Sequence, residues 1–368
     1  MKKIPAAGLV YGEEEHHLDH IAPLCLILKI PLIVTEPNLK ALAEKYYPNI
    51  SCHYLSYPEI GQQVLLNYVV VFSSLPRDLF DQIFSLAESM VGKTLLPIWC
   101  PHGNSDKGHK APFFEGLYRE KIALVYGQKM IDTMVKKGVY SHLYKAVELG
   151  NYRYELYKYL APFYAPLVEK EVISHLVSQN LSLLYAPTWN DQEGSTSFFD
   201  ALPILLRTIP DHWNLIVKPH PNLLKQPLKI APLVEMVKEK PNVCFLESFP
   251  PIYPLLDKVD AYLGDMSSIG YDCLPFEKPL FFLNNRQMDP KQDLSLYLSR
   301  CGKIIEPRNF KTIFSIIENN FMNHNKIFRK NYKKVNHYVF GNQKHLNQLR
   351  EEIESTYANY LRVSMASA

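Results

Sequence analysis

The sequence contains no CxxC pair and no Cys/His cluster at zinc-binding spacing, which excludes the common structural-zinc modules. Its six cysteines (Cys25, Cys52, Cys100, Cys244, Cys273 and Cys301) lie far apart. Isolated thiols of this kind are expected to be reduced, several of them as core filler. No internal repeat or low-complexity tract is present. The longest apolar runs, such as residues 23–34, are broken by Lys29 and Pro31, so no transmembrane helix is expected. The N-terminal segment has two lysines but turns acidic at Glu13–Glu15 before any apolar stretch builds up, unlike a secretory signal. A cytoplasmic protein, free or peripherally attached, is the expectation. The net charge of +3 is too small for a nucleic-acid binder, whose basic face usually dominates the total.

What is present is a globular composition: 47% hydrophobic and 21% charged residues, enough to bury a large core. A chain of 368 residues suits two domains better than one. Short apolar runs recur, each followed by a longer helix-like segment. Those of the first half are Ile30–Val34, Tyr68–Phe72, Leu95–Ile98 and Lys121–Tyr126. Those of the second are Leu181–Tyr185, Trp213–Val217, Val243–Leu246, Ala261–Leu263 and Pro279–Leu283. Continuous apolar runs of this length suit strands buried on both faces, and the alternation predicts doubly wound α/β units. Between residues 150 and 180, five tyrosines crowd a segment with Pro162 and Pro166. This reads as the connection between two Rossmann-like domains, residues 1–165 and 166–368, facing each other in a GT-B-type arrangement with substrates in the cleft. Asn342–Arg362 reads as a terminal amphipathic helix.

Ligands of parallel α/β sheets bind at the carboxyl ends of strands, so the residues just after each run come first. His102-Gly103 follows one run: glycine allows a sharp turn, and histidine is the side chain best suited to take a proton near neutral pH. A loop-capping histidine fits the pair as well. Lys218-Pro219-His220-Pro221 follows another run. The prolines stiffen the backbone, and lysine with histidine suits phosphate oxygens, though a rigid solvated turn reads equally well. In Gly264-Asp265-Met266-Ser267-Ser268, small residues and two hydroxyls can face an anion or simply cap a helix. Tyr185-Ala186-Pro187-Thr188-Trp189 offers a hydroxyl and an aromatic face to a nucleotide, or a proline turn with a core tryptophan. His16-His17-Leu18-Asp19-His20 places His16 and His20 on one helix face, but no third ligand follows at defined spacing. No metal is expected there, and His17 and His20 are acceptor-side candidates with Gly103.

Together these segments resemble the CDP-glycerol glycerophosphotransferase family of teichoic-acid polymerases and primases. The shared pattern is His102-Gly103 with Lys107, Gly150-x-x-Arg153, Tyr185–Trp189, His220-Pro221, and Asp265-x-Ser267-Ser268 with Lys278-Pro279. The order is kept over roughly residues 95–285. Met266 stands where the family has tyrosine, and Pro101 and Asn104-Ser105-Asp106 also depart from its pattern.

The resemblance implies an enzyme of GT-B fold that moves a polyol phosphate from CDP-glycerol or a relative to an acceptor hydroxyl, releasing CMP. It implies His102 as general base, with His220 stabilising charge in the transition state. Lys107, Arg153, Thr188, Lys218, Asp265, Ser267 and Ser268 would bind donor and phosphates. It implies no cofactor and no metal, a lipid-linked or glycan acceptor, and peripheral contact with the inner membrane face. Two other readings share the fold: a GT-B glycosyltransferase or epimerase acting on a nucleotide sugar, and a non-catalytic nucleotide-binding protein. The Tyr-Ala-Pro-Thr-Trp and Asp-x-Ser-Ser segments weigh against the first, and the presence of both His102 and His220 against the second.

Overall fold

The computed structural model describes residues 4–104, 106, 114–190 and 194–366. They form two compact units. The first comprises Met1–Gly103, Pro112–Tyr159 and Tyr338–Ala368; the second comprises Asn104–Ala111 and Leu160–His337.

In the first unit, strands alternate with helices in chain order. These are β1 (Ala6–Val10), α1 (Glu15–Leu28), β2 (Leu32–Val34), α2 (Pro37–Tyr46), β3 (Cys52–Tyr54) and α3 (Tyr57–Asn67). They continue with β4 (Val70–Ser73), α4 (Arg77–Val91), β5 (Leu96–Trp99), β6 (Ile122–Val125), α5 (Gln128–Lys136) and β7 (Lys145–Glu148). The seven strands are ordered β3-β2-β1-β4-β5-β6-β7, with all pairings parallel. Strands β1, β4, β5 and β6 are buried along their whole length, as their covered faces require. Ala7, Leu9, Ile33 and Val71 of the sheet pack with Ile60 and Val64 of α3 and Phe80 and Phe84 of α4.

Helix α6 (Tyr152–Glu171) carries the chain out of the first unit. The segment read from sequence as a connection is thus a twenty-residue helix, with Pro162 and Pro166 inside it. Each proline removes one backbone donor, but buried Tyr152, Tyr157, Tyr164 and Val168 hold the helix by packing.

The second unit begins with β8 (Leu181–Ala186), α7 (Phe198–Thr208), β9 (Trp213–Val217), α8 (Pro221–Leu224), α9 (Pro227–Lys238) and β10 (Val243–Phe245). It goes on with α10 (Tyr253–Lys258), β11 (Ala261–Gly264), α11 (Ser268–Asp272), β12 (Leu280–Leu283), β13 (Lys303–Ile305) and α12 (Ile313–Phe321). Its six parallel strands run β10-β9-β8-β11-β12-β13, the strand order of a dinucleotide-binding sheet. The expected doubly wound α/β class is what the chain adopts, twice.

Helix α13 (His324–Phe340) leads out of the second unit, and α14 (Leu346–Ala366) ends the described chain. This corrects the expected domain division, in which everything after residue 166 falls in the second domain. Helix α14 belongs to the first unit because it buries Leu349, Ile353 and Tyr357 and packs on α1 and β7. The Tyr357 ring lies 6.2 Å from that of Phe72 in β4, and Lys344 Nζ donates to the Glu148 carbonyl at 2.7 Å.

All six cysteines are free and buried. Among the described residues no helix is long and apolar enough to cross a membrane.

Candidate functional site

In each sheet the strand order reverses once, between β1 and β4 in the first unit and between β8 and β11 in the second. Sheets of this kind bind ligands outside the carboxyl ends of their strands near that reversal. Thr188, Asp265, Ser267 and Ser268 lie just beyond the strands at the second reversal, and His16 and His17 follow β1 at the first.

In the first unit, β1 leads into α1, whose first turn carries His16 and His17, and β5 ends just before His102. Gly103 has φ of +148°, a conformation open to glycine, so the chain can turn away directly after the histidine. The His17 and His102 ring centres lie 4.6 Å apart, those of His16 and His17 4.3 Å, and those of His16 and His102 5.7 Å. One ligating atom from each of the three lies within 4.8 Å of the others. Sequence spacing paired His16 with His20, whereas the fold brings His16 and His17 to His102, a residue 85 positions further on. Part of His102 stays exposed. The packing around it nevertheless pushes its imidazole down to about 4, by stripping water from the charged form. His102 is therefore neutral at pH 7.

His20, expected on the acceptor side, is a core residue. It is buried, its Nδ1 lies 2.6 Å from the Tyr126 hydroxyl, and its carbonyl accepts from the Tyr152 hydroxyl at 2.9 Å. Burial, then the Arg153 charge and the neighbouring imidazoles, hold its pKa well below the ordinary value.

Arg153, expected to bind phosphate, is buried in the first unit, where its Nη1 donates to Asp19 Oδ2 at 2.7 Å. Asp19 Oδ1 accepts from the Tyr47 hydroxyl at 3.0 Å. Gly150 explains why its motif spans four residues. Its φ of +65° turns the chain from β7 into α6, and a Cβ there would stand 3.3 Å from the Asn342 carbonyl oxygen. Arg153 then lies in the first turn of the helix, so the Gly-x-x-Arg segment anchors α6 to α1. Asp19 stands in the sequence as a carboxylate of the histidine run, and its pairing with Arg153 and Tyr47 is visible only in the fold.

In the second unit, β8 ends at Ala186 and β11 at Gly264, side by side in register. A Cβ on Gly264 would meet the Ala186 carbonyl oxygen at 2.8 Å, so glycine permits this approach. Asp265 is buried, and its Oδ2 accepts from the backbone N–H groups of Thr188 (2.8 Å) and Ser197 (3.3 Å). The Asp265 carboxylate therefore ties together the two loops that follow β8 and β11. The carboxylate is acceptor-only, and its Oδ2 is engaged by backbone donors, which gives Asp265 a loop-tying role beside the donor-binding one expected from the sequence. Thr188 is buried beside it, with its carbonyl accepting from Thr196 Oγ1 at 2.7 Å. Ser197 and Thr196, absent from the sequence reading, complete this knot; Ser197 Oγ lies 2.8 Å from the Tyr185 hydroxyl.

Ser267 and Ser268 are partly exposed at the start of α11, a helix of five residues. So short a helix contributes little dipole, and the hydroxyls are its main offering to an anion. His220 follows β9, with its Nδ1 accepting from the Asn222 N–H at 3.1 Å. That bond leaves Nε2 as the proton-bearing nitrogen. The ring lies 6.2 Å from that of Trp189, which is exposed at the end of β8. Lys218 is half-buried at the same strand end. Lys107 lies outside the described residues.

Asp106 is a further residue to which the sequence assigned no role. It belongs to the second unit, where its buried carboxylate accepts from the Tyr271 hydroxyl at 2.6 Å and from the Leu298 N–H at 3.0 Å.

Residues 170–300 match the family described as CDP-Glycerol:Poly(glycerophosphate) glycerophosphotransferase. The suspected family resemblance holds. The glycerophosphotransferase match covers Tyr185–Trp189, His220 and Asp265–Ser268, and it begins after His102 and Arg153. No curated protein matches the sequence. Among solved structures, the wall teichoic acid polymerase TagF is similar, with a TM-score of 0.66 and 14% identity over 98% of this chain and 90% of that one. The UDP co-structure of MnaA from S. aureus gives 0.64 and 14%, over 98% and 97% of the two chains. HepE from Anabaena, in complex with UDP and glucose, gives 0.55 and 12%, over 97% and 100%. At such identity these likenesses establish the fold, which is GT-B-like.

Proposed function

We propose that this chain transfers a polyol phosphate, glycerol phosphate or a close relative, from a CDP-activated donor to an acceptor hydroxyl and releases CMP. The observation that carries this reading is the second-unit knot. Within the glycerophosphotransferase match, Asp265 holds the Tyr-Ala-Pro-Thr-Trp loop against the Asp-x-Ser-Ser loop at the sheet's reversal point. Ser267, Ser268, Lys218 and the His220 Nε2–H offer donors to a diphosphate, while Trp189 offers a flat face to a nucleoside.

In the reaction, the acceptor oxygen forms a bond to the β-phosphorus of the donor. The bond from that phosphorus to the bridging oxygen breaks, and CMP leaves with the electron pair. His102 takes the acceptor proton, and the donors of the second unit balance the charge on the departing phosphate. Phosphoryl transfer has a loose transition state in which the nucleophile needs little activation, so a weakly basic imidazole suffices.

Two variants test this. His102→Ala should lower turnover with CDP-glycerol by about 10²–10⁴ while donor affinity and melting temperature stay near wild type. Full activity in a folded His102→Ala protein would remove the base. Replacing Ser267 and Ser268 together by alanine should weaken CDP binding by at least tenfold, since each charge-assisted bond contributes roughly 1.5–3 kcal/mol. A thermal-shift panel checks the nucleotide: CDP-glycerol, CDP-ribitol and CMP should raise the melting temperature more than UDP- or GDP-sugars.

A further inference from the structure

We propose that His16, His17 and His102 form a binding site for a zinc-class divalent ion, with three imidazole ligands and an open fourth position. Three groups that share one preferred ligand chemistry converge from two distant parts of the chain, with ligating atoms within 4.8 Å of one another. Tetrahedral coordination at about 2.0–2.1 Å places imidazole nitrogens about 3.4 Å apart, so closure needs movements of up to about 1.5 Å, within reach of rotations about the histidine side-chain bonds. Imidazole nitrogen selects zinc, copper, nickel or cobalt over magnesium or calcium, which prefer oxygen.

The surroundings agree. Glu14 Oε2 stands 3.3 Å from His16 Nδ1, so a carboxylate lies beside the imidazole cluster and adds negative charge that favours a cation there. Glu13 and Glu15 flank it in sequence and offset the positive end of α1. Asp19 is taken by Arg153 and Tyr47, which leaves nitrogen as the ligand set.

A bound ion takes the lone pair of His102. If His102 is the proton acceptor proposed above, occupancy inhibits transfer. The site itself stands on the geometry alone.

The test uses untagged full-length protein stripped with a chelator and titrated with Co²⁺ and Zn²⁺. We expect one ion per chain, a cobalt absorption of four- or five-coordinate type in the visible range, and displacement of cobalt by zinc. His16→Gln and His17→Gln, which keep side-chain polarity, should each weaken binding at least tenfold with melting temperature within a few degrees of wild type. If either variant fails to fold, competition by diethylpyrocarbonate supplies the same answer, since bound zinc should protect these histidines from modification. Absence of saturable cobalt binding, or binding that persists unchanged in both variants, overturns the site. Because the readout is coordination, the outcome is independent of whether the transferase reading survives.

Discussion

Glu120 sits just before β6 with almost no exposed surface, and its Oε2 has no hydrogen-bond partner. Arg77 Nη1 is 3.6 Å away, too far for a strong hydrogen bond. Burial raises its pKa from 4.5 to about 7, and Asp81 adds to the rise, while Arg77 and Arg119 act against it. Between about 4.5 and about 7 the folded protein thus holds a proton that the unfolded chain releases. Stability from this group is full below about 4.5 and is lost as pH rises through about 7. Glu120→Gln should therefore raise stability at pH 8, on the order of 2–3 kcal/mol, and change little at pH 4. Urea melts at both pH values check this; equal effects at the two would show that the carboxyl is not titrating between them. The same scale shows what a sequence conceals. His102 and His220 stand out by residue type and by position after a strand. Arg153 and Asp265 also stand out, but a buried ion pair or loop tie has the same letters as a ligand contact, and only the partners distinguish them.

Helix α14 is legible as an amphipathic segment, yet its destination depends on which surface remains uncovered after the sheets form. Ile353 is its centre, buried against the first unit. Ile353→Ala should cost about 2–4 kcal/mol, by lost transfer energy plus the cavity left behind. A urea midpoint shift measures it, and a change below 0.5 kcal/mol would mean that α14 is not part of that core. Strands were read where apolar runs are continuous. Strand β1 escaped because its residues are small: Cβ at Gly8 would fall 2.3 Å from Cys25 Sγ and 2.8 Å from Ile21 Cγ2. Close packing of α1 demands glycine at position 8, and with Ala6 and Ala7 beside it the strand lacks the bulky residues that advertise one. Strands β3 and β7 lie at the sheet edges, where polar residues such as His53 and Lys145 are tolerated.

At the scale of the whole chain, each unit is assembled from separated stretches of sequence. Hydrophobic alternation shows how many sheets there are, but where a short stretch such as Asn104–Ala111 attaches depends on contacts with residues far away in the sequence. Asp106 is such a contact in the second unit. Asp106→Ala leaves the Tyr271 hydroxyl and the Leu298 N–H without their acceptor, at roughly 1–3 kcal/mol each. The melting temperature should fall by several degrees, and Asp106→Asn should recover part of the loss by accepting one of the two bonds. No change in Asp106→Ala would detach residue 106 from the second unit's core.

The placement of α14 also sets an order of events during synthesis. A ribosome emits the chain from its N-terminus, so the second unit has all its residues once His337 has emerged. The first unit, begun earlier, still lacks the helix that covers Phe72 and packs on α1. Its sheet waits, incompletely covered, through the synthesis of some 178 residues of the other unit (Leu160–His337). The part of this protein that begins first is finished last, so the nascent chain's exposure to aggregation or chaperones falls on the N-terminal half.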